Sequence, residues 1–281
     1  MKQLVLSCLL LTLILLPGCE TMQSMLGDMN KPTVAFESMR FSDLSLEKAD
    51  MLFDVKVSNP YGVALPVSDI GYGLSTSGSS VISGQAKISE SIPANGSKVI
   101  TLPVSLVFAD LLKAGGQVRA GQLLPYQADI KLSVDTPVLG ILALPMRQTG
   151  KVPVPAVPEV SLESMTYDSL TWTSAAAVLK VNVTNTNAFD VDLNELGYEL
   201  KLAGQPIASS VVNTKGKLAS GQTRTLEIPI SFSPAKLGTS ALSMLRGSGA
   251  DFELNGKVDL GTAYGNLTLP YQKTGRTMFK R

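Results

Sequence analysis

The chain has 281 residues and a near-neutral balance, 24 Lys+Arg against 23 Asp+Glu, with no arginine-rich run, so it lacks the basic surface that nucleic acid demands. Histidine is absent and only Cys8 and Cys19 carry thiols, which removes the usual general base and the usual ligands of zinc. With 17% charged and 44% hydrophobic residues, the composition is that of a chain with a buried core and not of a disordered one.

Lys2 is followed by an apolar run from Leu4 to Leu16, of signal-peptide length and too short to span a bilayer comfortably. The run ends in Leu16-Pro17-Gly18-Cys19, which resembles a bacterial lipoprotein box. That resemblance implies a lipoprotein signal peptide over residues 1–18, cleavage between Gly18 and Cys19, and lipid on Cys19 as the first mature residue. An ordinary secretory peptide with an incidental cysteine is the other reading. No cysteine follows Cys19, so a mature chain has no disulfide and depends on packing. Several acyl chains would anchor it stably where one would not, at ~0.8 kcal/mol per buried methylene. Glu20 in place of Asp is similar to Gram-negative lipoproteins exported to the outer membrane, and residues 19–31 read as a lipidated tether.

The rest of the chain repeats itself. Ile70-Gly71-Tyr72-Gly73-Leu74 returns as Leu196-Gly197-Tyr198-Glu199-Leu200, and Glu37-Ser38-Met39 returns as Glu163-Ser164-Met165, both at an offset of 126 residues (197 − 71 and 163 − 37). A spacing that long is a duplicated domain. Met51, Phe53, Val55 and Val57 alternate with polar neighbours, as do Ala177, Leu179, Val181 and Val183 one offset later. Ile100, Leu102, Val104 and Leu106 match Leu226, Ile228, Ile230 and Phe232. Period-two alternation predicts strands with one buried face. Further strands are predicted at Thr33–Phe41, Val63–Leu74, Val81–Ser89, Tyr126–Val134, Ile141–Met146, Val191–Leu202, Phe252–Leu260 and Asn266–Tyr271. Turn signals sit at Ala94-Asn95-Gly96-Ser97 and Ala219-Ser220-Gly221-Gln222.

One helix is expected per half, over Ala109–Arg119 and Pro234–Arg246, with Pro234 behind Ser233 as N-cap and with Gly115-Gly116 weakening the first. The fold class is therefore all-β: two tandem immunoglobulin- or fibronectin-III-like sandwiches of about seven strands, each with one short helix. They occupy residues 32–150 and 158–275, with a C-terminal tail at 276–281. The proline-rich segment 151–157 predicts a semi-rigid spacer that holds the sandwiches end to end and apart.

The first long strand of each half ends in an asparagine turn, Asn59-Pro60-Tyr61 and Asn185-Thr186-Asn187. That turn, a following Gly-Tyr-x-Leu strand and a late helix resemble the WHy domain of the type 2 late embryogenesis abundant family, over nearly all of both halves. Neither copy has the full Asn-Pro-Asn. The resemblance implies a folded sandwich associated with water stress and desiccation, with neither catalytic residues nor a cofactor.

The residues agree with that implication. Asp190-Val191-Asp192-Leu193-Asn194-Glu195 begins like a calcium loop, but an EF-hand needs Gly where Glu195 stands and Glu where Lys201 stands. An acidic strand edge is the simpler reading, and no metal site is expected. Asn59 and Asn185 are expected to bond nearby backbone, Tyr72 and Tyr198 to pack in or near the core, and the single Trp172 to pack as well. No nucleophile elbow or phosphate loop appears. The expected function is non-enzymatic: a lipid-anchored, periplasm-facing outer-membrane protein that touches the membrane through Cys19 and weakly binds stress-damaged proteins or membrane. The alternative is a structural or assembly lipoprotein that docks another envelope protein; a ligand cavity between the sheets is a third possibility.

Overall fold

The computed structural model describes residues 31–76, 78–113, 118–137, 139–240, 249–277 and 279–280. The signal segment, Gly18, Cys19 and the tether up to residue 30 lie outside them.

The first sandwich is built from β1 (Thr33–Leu44), β2 (Lys48–Ser58), β3 (Leu65–Thr76), β4 (Ser79–Ile92), β5 (Ser97–Val107), α1 (Phe108–Lys113), β6 (Leu123–Thr136) and β7 (Gly140–Pro153). The second contains β8 (Glu159–Leu170), β9 (Ala175–Thr184), β10 (Val191–Leu202), β11 (Gln205–Leu218), β12 (Thr223–Phe232), β13 (Ala250–Thr262), β14 (Gly265–Thr277) and β15 (Phe279–Lys280). In each domain a sheet of order β1-β2-β5 or β12-β9-β8-β15 faces one of order β4-β3-β6-β7 or β11-β10-β13-β14. All ladders are antiparallel except that of β15 on β8. This is the all-β tandem sandwich expected from the alternation.

The repeat persists in irregular detail. Bulges interrupt the register between Phe36 and Ser38, Phe41 and Asp43, Val67 and Asp69, and Leu74 and Ser75. Each recurs 126 residues later, between Leu162 and Ser164, Tyr167 and Ser169, Leu193 and Glu195, and Leu200 and Lys201. A bulge moves every later side chain of its strand to the opposite face, so its retention keeps the inward set inward. In the β1–β2 and β8–β9 ladders the extra residue lies on β1 and β8; β2 and β9 alternate without interruption, and Met51, Phe53, Val55 and Val57 on β2 and Ala177, Leu179, Val181 and Val183 on β9 are all buried. Each large side chain so covered contributes roughly 1.5–3 kcal/mol.

The first helix is shorter than expected: α1 is described over Phe108–Lys113, and residues 118–122, which include Arg119, are not helical. Its second-domain counterpart is a 3-10 turn, Pro234–Leu237, with Pro234 at its start and no side-chain bond from Ser233. Gly238 then turns left-handed (φ 58°) before helix resumes at Thr239; residues 241–248 lie outside the described set.

The spacer expectation requires correction. β7 runs to Pro153, Val152 to Pro155 are buried, and the segment is sandwiched between the domains. The Gly121 amide donates to the Val154 carbonyl (2.7 Å), and the Val154 amide to the Gln122 carbonyl (2.9 Å). Gly121 in turn accepts from the Ala188 amide of the second domain (2.6 Å). A Cβ on Gly121, already at φ 86°, would lie 2.6 Å from the Thr186 carbonyl oxygen, so only glycine permits this approach. Tyr264, in the β13–β14 turn, packs edge-on against Phe41 of the first domain (5.4 Å) and Phe189 of its own (5.5 Å). The domains are end to end, as expected, but docked. Proline gives the segment its extended shape; the valines between the prolines give it a reason to be buried. The 276–281 segment is also engaged: β14 reaches Thr277, and Phe279 and Lys280 pair with Met165 and Thr166.

Removing the Tyr264 ring with Tyr264→Ala forfeits two edge-on contacts, roughly 1–3 kcal/mol together. The expected result is a wider spread of interdomain distances in X-ray scattering with unchanged circular dichroism. An unchanged scattering profile would mean that the ring does not hold the dock.

Candidate functional site

The asparagine turns close each domain at the end where its chain enters. Asn59 follows the last residue of β2, and its side chain is buried. Its Nδ2 donates to the carbonyls of Val63 (2.8 Å), Pro93 (3.0 Å) and Ile92 (3.3 Å), while Oδ1 accepts from the Tyr61 amide (2.9 Å). Its own amide donates to the Gly96 carbonyl (2.8 Å). Asn185 does the same one offset later. Its Nδ2 donates to Phe189 (2.9 Å) and Leu218 (3.1 Å), Oδ1 accepts from the Asn187 amide (3.0 Å), and its amide donates to Gln222 (2.9 Å). One carboxamide thus ties the crossing from β2 to β3 to the turn between β4 and β5, which lie in opposite sheets. Pro60 is half-buried and fixes the backbone after Asn59.

Asn187 has a second task that the first copy lacks. Its Oδ1 accepts from the Ala156 amide (2.7 Å), and its Nδ2 donates to the Ala156 carbonyl (3.2 Å) and to Asn185 Oδ1 (3.0 Å). The carboxamide pairs with the connecting peptide as a strand neighbour would. The equivalent position in the first domain is Tyr61, whose covered hydroxyl has no partner among the described residues. The motif asparagines are therefore buried, and each carboxamide is engaged through both its oxygen and its nitrogen in closing its own domain or holding the connecting peptide.

The other polar candidates are likewise spoken for. Asp54 is buried on the outer face of β2 and accepts from Ser38 (2.7 Å), Thr101 (2.7 Å) and Arg40. The Thr101 and Ser38 hydroxyls, with the Arg40 charge, hold its carboxyl below the usual carboxylate range, which makes it a poor base. Asp190 pairs with Lys217 (2.8 Å) and accepts from the Ser220 amide (3.2 Å). Asn194 donates to Asp259 (2.9 Å), across the sheet. Among the described residues no three acidic side chains converge as metal ligands would.

Tyr72 lies half-buried over Gly84 on the neighbouring strand, where a Cβ would meet its hydroxyl at 2.5 Å; Tyr198 is buried opposite Gly256. Both take the packing role expected of them. Trp172 does not: it is 45% exposed in the turn before β9.

What remains is surface. β4 and β5 are edge strands of opposite sheets on the same side of the first sandwich, as β11 and β12 are in the second. Between each pair runs a slot, of about 340 Å³ against Val81, Ile82, Leu106 and Leu111 and about 580 Å³ against Ile207, Val212, Ile228 and Ile230. Ser83, Ser105, Ser209, Ser210 and Ser231 are among the remaining lining, and Asp110 is its single charged residue. Composition gave no sign of these slots, because an edge strand and a central strand of a sandwich alternate alike. Their signal lies in β4 and β11 themselves, Ser79–Ile92 and Gln205–Leu218, in which large apolar residues make up a smaller share of the strand than in β2 and β9.

If the turn asparagines are structural, Asn59→Ala or Asn185→Ala strands at least two buried carbonyls and costs about 2–4 kcal/mol, against under about 1 kcal/mol for Pro60→Ala. Urea unfolding of the three variants checks this ranking. Equal, small losses for all three would show that the carboxamides do not close the domains.

A family profile, LEA_2 or late embryogenesis abundant protein, matches residues 54–150 and 180–275, together more than half of the chain. A desiccation protectant protein of Glycine max, a Lea14 homolog, is 29% identical over 133 residues, which are 47% of this chain and 88% of its own. The late embryogenesis abundant protein Lea14-A of Gossypium hirsutum is 23% identical over 134 residues, 48% of this chain and 89% of its own. The solution structure of a late embryogenesis abundant protein of Arabidopsis thaliana superimposes with a TM-score of 0.41 at 24% identity, covering 56% of this chain and 87% of that one. The chain belongs to the late embryogenesis abundant LEA_2 family and carries the family's domain twice.

Proposed function

We propose that this chain is a non-enzymatic protein of the bacterial cell envelope, held by lipid on Cys19 in the outer membrane and facing the periplasm, that limits protein damage during water stress. Family membership supports the stress role, as do relatives named for desiccation. The observation that carries the mode of action is the pair of equivalent slots between β4 and β5 and between β11 and β12. An edge strand offers unpaired N–H and C=O groups, and an extended segment of a partly unfolded protein can add to it as a further strand. The slots supply modest apolar area and almost no charge, so such contacts are weak and indifferent to sequence. Drying raises the concentration of partly unfolded proteins, which compensates for low affinity by mass action.

The test dries or freezes a labile enzyme with the mature chain. Val107 and Val211 line the two slots at 38% and 58% exposure, so Val107→Lys with Val211→Lys charges the edges without emptying the core. The expected outcome is protection by the parent, loss of it in the double variant, and the same melting temperature for both. Protection no better than that of an equal mass of albumin removes this reading.

The buried linker favours a second reading, a rigid two-domain spacer that docks one envelope protein. Crosslinking in cells separates the two, since a protectant gives many faint partners and a spacer one dominant partner. Anchoring has its own test: a fatty-acid probe should label the parent and not Cys19→Ala, and label kept by the variant refutes lipidation at that residue.

A further inference from the structure

The two domains share one design, so the surface that each presents at its entry end can be compared directly. In the second domain that end comprises the Asn185–Phe189 turn, the β13–β14 turn and the connecting segment, and it is buried against the first domain through Phe189, Tyr264 and Asn187. In the first domain the same end comprises the Asn59–Ala64 turn and the β6–β7 turn. Val63 takes the place of Phe189 and is 52% exposed; the β6–β7 turn is one residue longer than the β13–β14 turn, and in it the Leu139 amide donates to the Thr136 hydroxyl (3.0 Å), as the Tyr264 amide does to that of Thr262 (3.0 Å). Ile141 beside it is 71% exposed, the most exposed large apolar side chain of the described residues. Lys31 and Lys56 flank a recess of about 520 Å³ at this end, and neither forms an ion pair among the described residues.

We propose that this end of the first domain is a membrane-facing surface: Val63, Leu139 and Ile141 meet the headgroup boundary of a bilayer, and Lys31 and Lys56 meet its anionic headgroups. The inference rests on the lipid anchoring proposed above. Three observations select a bilayer as the occupant. Twelve residue steps separate Cys19 from Lys31, a reach of at most about 40 Å even fully extended, and the chain enters the domain at this same end. An anchor there places this end of the first domain nearer to the lipid than the end that docks the second domain. The surface combines aliphatic tips with long cationic side chains, the pairing that suits an interface where one part is apolar and the next anionic. A second copy is a poor fit as partner. The far end of the second domain would have to play the part of the first domain's docking face. Its β8 edge is already paired with β15 at Met165 and Thr166, the positions equivalent to Met39 and Arg40 beside the Tyr264 turn.

The test uses the chain from Cys19 onward, coupled through its single thiol to a maleimide lipid in vesicles of phosphatidylethanolamine and phosphatidylglycerol with brominated acyl chains. Chemical coupling makes the result independent of whether a cell lipidates Cys19. Trp172, the single tryptophan, sits at the opposite end of the molecule and reports on it in the parent. Val63→Trp and Ile141→Trp are each placed in a Trp172→Phe background, with circular dichroism to establish that they fold. Expected are blue-shifted emission and quenching by bromolipid at both new positions and none at Trp172. Lys31→Glu with Lys56→Glu should weaken the surface-bound state roughly fivefold per lysine. Quenching at 63 and 141 no stronger than at 172 overturns the proposal, even where the fatty-acid probe labels Cys19. A blue shift that grows with protein concentration in the absence of vesicles means that copies of the chain cover this end, and overturns it equally. Quenching that persists although no cell lipidates Cys19 leaves the surface standing and removes the anchor.

Discussion

A sandwich of this kind has one weak place, the point where the chain leaves one sheet and enters the other. Backbone groups there have no ladder to join, yet they are covered by the core. Asn59 and Asn185 solve this with one carboxamide each, which gathers carbonyls from the β2–β3 crossing and from the end of β4 or β11. The partners lie four and 33 residues ahead in both copies. Asparagine suits the task because it donates and accepts without charge; aspartate would bring a carboxylate against the same carbonyls, with repulsion where there is now attraction. The bulges, the strand lengths and the placement of the slots all follow from having this crossing fixed.

Duplication then freed parts of the second copy to change. Where the first domain has Tyr61 and Val63, the second has Asn187 and Phe189, and these replacements form the interdomain dock together with Tyr264 of the β13–β14 turn. Asn187 turns the motif's own chemistry outward: it bonds Asn185 on one side and the connecting peptide on the other. The dock is thus continuous with the clip that closes the domain, and a substitution that disturbs Asn185 should be felt in both. The Asp54 network shows the opposite case. It exists in the first copy alone, since Lys180 stands at the equivalent position and pairs with Glu227 (3.1 Å), so the fold does not require it.

Strands were legible because period two is a strong signal and because two copies could be read against each other. Met51 to Val57 and Ala177 to Val183 fell on the same face at the same offset, and a chance pattern would not do that twice. The bonds of Asn59 and Asn185 were legible as backbone caps, since a short amide side chain in a turn has few other options. Helix lengths were not: the first stops short of Arg119, and the second opens as a 3-10 turn that Gly238 interrupts. The buried connecting segment was missed for a more general reason. Proline signals extension, and extension is equally compatible with a free spacer and with a strand-like segment packed between two bodies. The deciding residues were the valines and the aromatic residues at 189 and 264, which mean little until the halves are compared position by position. Trp172, expected to pack, lies 45% exposed in the turn before β9.

The remaining edges define what such a molecule can do without harm to itself. A protein that exposes edge strands risks pairing with its own kind. Here β15 covers part of β8, and the Tyr264 turn lies beside β1, so one flank of each domain is engaged. β4, β5, β11 and β12 stay at sheet edges, but β4 and β11 are rich in serine and carry Lys87, Lys215 and Lys217. Backbone hydrogen bonds alone, each worth only about 0.5–1.5 kcal/mol net, cannot hold a partner long when few apolar side chains accompany them. Two copies of the same edge bring each other little grease, whereas an unfolding protein brings its own exposed apolar residues to the slot. The asymmetry favours contact with damaged chains over contact with self, and it arises from what the edge strands lack.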